Sequence, residues 1–443
     1  MKKFVGICSI ALCIASYAGC KKPAVLEFEP NMVYAKALEI DSGYPMQQAL
    51  DETQIALTKY FGTPDEPKMP EFLMEDDDYA SLVSLEDLAK AAGSPTQVGR
   101  GLYQQHCATC HGVVGNGRGE TAALITPYPR DYRMGKFKFK STRRGAKPLR
   151  SDLEDSIKYG IAGTSMKVIP ELTEDDISAL ASYVIYLSMR GEFERMMLYE
   201  GNDIDFEEAD DDGNTEHLYD PSSPAEKFAE QEEFAQDLIT DIADSWLEAE
   251  DLVVDIPEPD DIPVPETVAE VLATAQEPGD SPLKESIAKG KELFASELSA
   301  CAKCHGKEGY GDGVTQDYDD WTKDWTVGIG IDPNDYDAQV PLIARGALPP
   351  RKIIPRDFRE GLYRGGSSPE ALYLRIAAGI DGTPMPAAAL QPEQIWHIVN
   401  YIRSLAVPQE DPETGAEADI APTEQPAQAA AASLKAQDSR DAT

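Results

Sequence analysis

The chain has 443 residues, 42 % hydrophobic and 27 % charged, enough for about two to four domains and too apolar to be wholly disordered. Its 79 Asp and Glu against 40 Lys and Arg give a formal net charge of −39, which argues against nucleic-acid binding, because phosphate contacts need clustered cations. Beyond the N-terminus there is no apolar run of about 18 residues, so no transmembrane helix is predicted there.

Residues 1–20 read as a secretory signal: Lys2 and Lys3, an apolar stretch over 4–15, then small residues. Its end, Ala18-Gly19-Cys20, resembles the bacterial lipobox, with Tyr17 where Leu is usual. That resemblance implies acylation of Cys20 and a chain hung by its lipid on the periplasmic side of a bacterial membrane. Residues 21–93 carry helix signals around 50–60 and a Pro-rich turn near 64–70, and read as a tether or helical region holding the next unit away from the membrane.

Three of the seven cysteines, Cys8, Cys13 and Cys20, belong to the signal. The other four form Cys107-Ala-Thr-Cys110-His111 and Cys301-Ala-Lys-Cys304-His305, the attachment pattern of c-type haem. Two thiols one helical turn apart reach the two vinyl groups of one porphyrin, and the adjoining His addresses the iron. A thioredoxin-like motif would follow a strand in a βαβ pattern, and neither site does. Two knuckles of one zinc site sit about 15–20 residues apart, whereas 190 residues separate Cys110 from Cys301. A simple disulfide does not need the His.

The surroundings repeat. Gly99-Arg-Gly-Leu102-Tyr103 precedes the first motif and Gly290-Lys-Glu-Leu293-Phe294 the second. Glycine-rich turns follow each His. Then come Pro129-Arg130-Asp131-Tyr132-Arg133 and Pro355-Arg356-Asp357-Phe358-Arg359, and after them Gly160-Ile-Ala-Gly163-Thr164-Ser-Met166 and Gly379-Ile-Asp-Gly382-Thr383-Pro-Met385. Each unit closes with a predicted helix, over 173–189 and 392–405. Thr173 with Asp176 suits a capping box, Pro392 suits a first turn, and apolar residues recur at helical spacing in both.

This order resembles class I cytochrome c, twice in one chain. The stretch 130–142 also resembles cytochromes of planctomycete bacteria. The class I resemblance implies two covalently bound haem c groups, with iron held by His111 and Met166 in one unit and by His305 and Met385 in the other. A Met thioether favours Fe(II) and raises the reduction potential. In that family a Pro carbonyl takes the proximal His ring N–H. Pro127 or Pro129 could serve His111; for His305 the choice among Pro341, Pro349 and Pro350 stays open. His106 is read as lying near the haem edge and His217 as solvated. His397 is a weaker ligand candidate than Met385. The second unit departs from the pattern by about 32 inserted residues within 314–350, including Trp321 and Trp325. They read as core packing, haem shielding or a docking surface.

Residues 130–150 hold nine Lys or Arg and one acid, Asp131. Planar guanidinium forks suit carboxylates, so Arg130, Arg133, Arg356 and Arg359 are candidates for the haem propionates. The surplus Lys136, Lys138, Lys140, Arg143 and Arg144 are candidates for docking an acidic partner, with the three lysines steering its approach, or else form a solvated basic loop. Residues 201–260 carry 22 Asp or Glu and one Lys, yet Phe228, Ala235, Leu238, Ile242 and Trp246 fit one face of a helix. Residues 256–282 are expected to be extended, and the tail 408–443 disordered.

The expected fold is therefore mainly α: two cytochrome c-like helical haem domains, 94–200 and 283–407, joined by an acidic, partly helical linker over 201–282. The expected function is single-electron transfer between membrane or periplasmic respiratory redox partners, such as a quinol-oxidising complex and a terminal oxidase. No catalytic residue is assigned. Two readings compete: a diheme peroxidase-like oxidoreductase, which needs one open iron position, and a fixed haem subunit of a quinol-oxidising or oxygen-reducing complex.

Overall fold

The structure, a computed structural model, describes residues 25–97, 100–206 and 215–407, with two short paired strands at Gln409–Glu410 and Glu417–Ala418. The signal, Cys20 and the rest of the tail lie outside the described residues. The chain is mainly α-helical, with two cytochrome c-like helical units joined by the acidic segment. No described helix is long and apolar enough to cross a membrane.

The first unit is built around the helix Glu174–Gly201, which runs twelve residues past its predicted end at Met189. Thr173 caps it, accepting from the Asp176 N–H at 3.2 Å while the Asp176 carboxylate takes the Thr173 N–H at 2.9 Å. Two orphan amides are thereby satisfied reciprocally. Beyond its first turn the helix is buried on nearly every face, which requires cover all round. Five pieces provide most of it: Gln47–Phe61, Leu85–Ala92, the turn Tyr132–Met134, Arg150–Tyr159 and the acidic Ala225–Leu247. Tyr60, Phe61, Phe193, Ala235, Leu238, Ile242 and Trp246 share its core. The buried Glu194 carboxylate accepts from the Asn31 N–H at 2.8 Å and the Gln54 amide at 3.1 Å. The stretch read as a tether or helical region is helical and packs as a covering layer on the first closing helix. His217, expected to be solvated, meets Glu52 at 2.6 Å and fixes the chain before the acidic helix to Gln47–Phe61.

After the acidic helix the chain runs extended. Val253 bridges Thr142, and the Val254 N–H donates to the Ser141 carbonyl at 2.9 Å. The Pro-rich part then lies along the second unit's closing helix, Pro392–Ser404. Its carbonyls have no ladder partner and take side-chain donors instead: Trp396 donates to Pro257, Asn400 to Pro263, and Arg403 to Pro265 and Glu266. The extended reading of 256–282 fails beyond Thr267, which caps a further helix, Val268–Gln276, with Glu270 completing the box.

In the second unit the leading helix Pro282–Ala295 crosses Pro392–Ser404 so closely that a Cβ on Gly290 would stand 2.0 Å from the His397 carbonyl oxygen. The His397 Nδ1 meets the Ser286 hydroxyl at this crossing, at 2.8 Å. The insertion is clipped at its base by the antiparallel pair Asp317–Tyr318 and Lys352–Ile353. Its Trp325, Leu342 and Ala347 form a small core with Val33 and Ala37 of Met32–Ser42. Arg195 of the first closing helix pairs with Asp324 at 2.8 and 3.0 Å. The insertion thus braces one unit against the other.

The capping box makes a pH-dependent contribution. The Lys90 hydrogen bond, followed by that of Thr173, holds the Asp176 carboxyl down at about 2. A depressed carboxyl stabilises the fold above its unfolded value of about 4 and loses that contribution as pH falls through the folded value. Asp176→Ala is expected to cost about 1 kcal/mol at neutral pH, with the Tm difference from wild type closing between about pH 4 and pH 2.

Candidate cofactor sites and their interface

His111 ends the one-turn helix Ala108–His111, and His305 ends Cys301–His305. The His111 Nδ1 lies 3.2 Å from the Arg130 carbonyl oxygen, and the His305 Nδ1 lies 3.4 Å from that of Arg356. A proton held on Nδ1 leaves the Nε2 lone pair for a metal. Aromatic rings hold the imidazoles from one side: Tyr132 stacks on His111 at 5.0 Å and Phe358 on His305 at 4.7 Å. Burial above all lowers the His111 pKa to about 4 and lowers that of His305 as well. Both rings are therefore neutral at pH 7.

The acceptor is not a proline carbonyl. In an extended segment successive carbonyls face opposite ways. Pro129 and Pro355 turn theirs onto Gly117 and Gly311, where a Cβ would come within 2.6 and 2.5 Å. The next carbonyl, that of the arginine, meets the imidazole. Gly117 and Gly311 hold φ of 68° and 73°, a region open to glycine. Of the other candidates for His305, Pro349 accepts from the Tyr128 hydroxyl of the first unit at 3.1 Å.

Cys107, Cys110, Cys301 and Cys304 are half-buried and unbridged. Burial pushes the Cys107 thiol up to about 12 and raises that of Cys301. No group of three or more His, Cys, Asp or Glu among the described residues could hold a metal ion, so the zinc reading finds no ligand set there. His106 is exposed.

The two methionine loops are built alike. In the first, the Ile161 N–H donates to the Met166 carbonyl at 2.8 Å, the Thr164 hydroxyl to the Ile161 carbonyl at 2.8 Å, and the Met166 N–H to the Thr164 hydroxyl at 3.1 Å. Ile380, Thr383 and Met385 repeat the pattern at 3.1, 2.8 and 3.1 Å. Met385 borders the same core cluster as Cys301.

The four candidate arginines divide. Arg133 is buried and grips Asp131 with two nitrogens, at 2.9 and 2.7 Å. Arg359 grips Asp357 in the same way and lies over the Tyr310 ring. These two lock the turn that sets the neighbouring arginine carbonyl, and are not free for another carboxylate. Arg130 and Arg356 are freer: Arg130 lies 3.4 Å over the Trp321 ring, and the acid that Arg356 pairs with among the described residues is Glu360, at 3.7 Å. Lys138, read from the sequence as a docking cation, and Arg364, part of the second unit's basic cluster, occupy matched repeat positions and lie with them, a pairing the sequence reading did not make. Neither makes a salt bridge among the described residues, and the Arg356 and Arg364 Nε atoms are buried without a partner. Burial lowers Arg130 and Arg364 to about 10 and Lys138 well below its usual range, with like charge adding to the last two. Lys138 feels Arg364 across the interface. Desolvating a cation is costly, and these four are half-buried with few acids near them, among them Glu360 beside Arg356 and Asp319 near Arg130 and Lys138, where the two units meet. A haem suits these pockets: each offers two free thiols, one neutral oriented imidazole and surplus cations for two propionates.

The lysines expected to steer a partner are used internally. Lys136 meets Asp320 of the insertion at 2.8 Å. Lys138 sits 5.7 Å from the Trp321 ring centre. Lys140 is buried and pairs with buried Asp381 at 2.8 Å. Arg375 of the second unit donates to the Lys138 and Lys140 carbonyls, and the Trp321 indole N–H donates to the Asp131 carbonyl at 2.9 Å. The basic loop is thus the interface between the units.

Residues 97–188 and 287–406 match the cytochrome c family. No protein of curated function matches the chain. Among solved structures, a chain of the Kuenenia stuttgartiensis reducing HAO-like protein complex matches at 23 % identity over 69 % of this chain and 94 % of that one, with a TM-score of 0.40. The two matched regions contain the two sites described above.

Asp381→Asn would leave the Lys140 ammonium buried without its carboxylate. Breaking one side of such a pair costs about 3 kcal/mol. Calorimetry is expected to show a lowered Tm, and limited proteolysis to show faster cleavage between the units.

Proposed function

We propose that the chain is a two-haem cytochrome that carries single electrons, with both haems in one rigid body. A bound haem supplies a one-electron Fe(III)/Fe(II) couple without making or breaking a substrate bond. The observation that carries the reading is the repeat itself. Each unit joins a Cys-x-x-Cys-His helix, a neutral imidazole oriented by a backbone carbonyl, and a hydrogen-bonded methionine loop.

In this reading Cys107 and Cys110 hold one haem and Cys301 and Cys304 the other. His111 and His305 supply the proximal nitrogens, and Met166 and Met385 the distal sulfurs. Arg130 with Lys138, and Arg356 with Arg364, take the propionates. The proximity of those cations across the interface favours electron passage within the molecule. Matched distal loops support a carrier over a peroxidase, which needs one loop to differ.

The partners we propose are redox complexes of a respiratory membrane, a quinol-oxidising complex on one side and a terminal oxidase on the other. Cys20 would provide the lipid anchor on the periplasmic face. With the basic loop consumed internally, the remaining surface of a chain of net charge −39 suits cationic docking faces, with rates that fall as salt rises.

A pyridine haemochrome assay is expected to give two haems per chain. Cys107→Ala with Cys110→Ala should leave one; an unchanged count would remove the first unit from the proposal.

Met166→Ala and Met385→Ala are each expected to weaken the near-infrared sulfur-to-iron band of the oxidised protein. Each should also lower one midpoint potential and admit carbon monoxide to one haem. Rapid carbon monoxide binding or peroxide turnover by the unaltered protein would favour the enzyme reading instead.

A further inference from the structure

We infer that Arg144 of the first unit is a positioning residue for the distal methionine of the second, so that one unit governs how readily the other's Met385 loop opens. This rests on Met385 being the sulfur ligand. Arg144 spans the loop with three hydrogen bonds: to the Ile380 carbonyl at 3.1 Å, the Met385 carbonyl at 2.8 Å and the Thr383 carbonyl at 3.0 Å. A planar guanidinium can serve three converging carbonyls at once, and an ammonium on a flexible stem cannot hold the same fan.

The support behind Arg144 is stiff. The next residue, Gly145, donates its N–H to the Asp381 carboxylate at 2.9 Å. Lys140 pairs with that carboxylate and donates to the Arg143 and Ala146 carbonyls. The Arg143 N–H donates to the Leu252 carbonyl at 2.8 Å, which ties the loop to the linker at the end of the 3-10 turn Glu248–Leu252. Arg144 is therefore held at its base from both sides while its head reaches across.

The first unit lacks this device. Among the described residues, no side chain of the second unit donates to the Ile161, Thr164 or Met166 carbonyls. From the second unit Arg356 and Leu362 approach its loop, with an Arg356 Nη 3.5 Å and the Leu362 Cδ1 3.8 Å from where a Cβ on Gly163 would stand, and neither makes a hydrogen bond to it among the described residues. Asp381, Gly382 and Thr383 are buried, whereas their counterparts Ala162, Gly163 and Thr164 are half-buried or exposed. Two loops with the same internal hydrogen bonds thus differ in external restraint, and the second should release its sulfur more slowly.

The test uses the full-length holoprotein and carbon monoxide as the probe of distal opening. Met166→Ala and Met385→Ala assign the two thioether methyl signals in the NMR spectrum of the reduced protein. Arg144→Ala is expected to raise carbon monoxide association at the second haem about tenfold or more, the factor lost with one charge-assisted hydrogen bond, and to shift the Met385 methyl signal alone. Arg144→Lys should fall between Arg144→Ala and wild type, and it carries the test if the alanine variant loads haem poorly. Wild-type association and an unmoved Met385 signal in both Arg144 variants would overturn the inference while leaving the ligand assignment intact. An equal rise at both haems would also overturn it, as general loosening. If Met385→Ala removes no methyl signal, the ligand assignment itself fails, and the inference with it.

Discussion

A buried ion pair between two halves of the chain, Lys140 with Asp381, sets the geometry on which the rest depends. An ammonium taken out of water must find its counter-charge and fill its remaining donor positions. Lys140 does so with one carboxylate from the opposite unit and two carbonyls of its own loop. That closes the basic loop into a rigid turn, presents Arg144 to the Met385 loop and brings Arg375 onto the backbone beside it. Hydrogen bonds to backbone carbonyls, more than side-chain ion pairs, then carry the contact. Such contacts have strict geometry and fix the relative orientation of the units.

Within each unit the same five-residue segment does three things through alternating directions. Its proline carbonyl closes onto a glycine of the preceding loop. Its arginine carbonyl orients the imidazole. Its Asp and final Arg clasp each other and hold the turn in register. The arginine side chains therefore have different fates although their types are the same: the second of each pair clasps its Asp, while the first lies over Trp321 or beside Glu360. The aromatic residue between them stacks on the imidazole in both units. Orientation of the ring is thus set by backbone and packing together, with no carboxylate needed.

Charge is distributed by the same logic. The chain is strongly anionic, yet a cluster of its cations lies where the units meet, some paired with acids there and others, Lys138 and Arg364, without a salt bridge among the described residues. Cations there complement a group carrying two carboxylates and are shielded from bulk water, so salt screens them less than it screens an outer patch. The acidic helix Ala225–Leu247 follows the opposite rule: apolar residues face the first closing helix and acids face solvent.

The sequence by itself determined what is local. The Cys-x-x-Cys-His turns, the glycines after them, the capped closing helices and the repeat register all depend on residues within a few turns of one another, where spacing alone constrains geometry. The face of the acidic helix was legible for the same reason. What only the tertiary structure decided is where the cations go and which carbonyl meets each imidazole. Arg144 and Gly145 find their partners 236 to 241 residues away, and a local charge excess reads the same whether it faces solvent or a distant carboxylate. The Pro-rich linker and the 314–350 insertion were equally opaque. Both are held by single side chains donating to isolated carbonyls and by a small shared core, contacts that leave no periodic trace in the sequence.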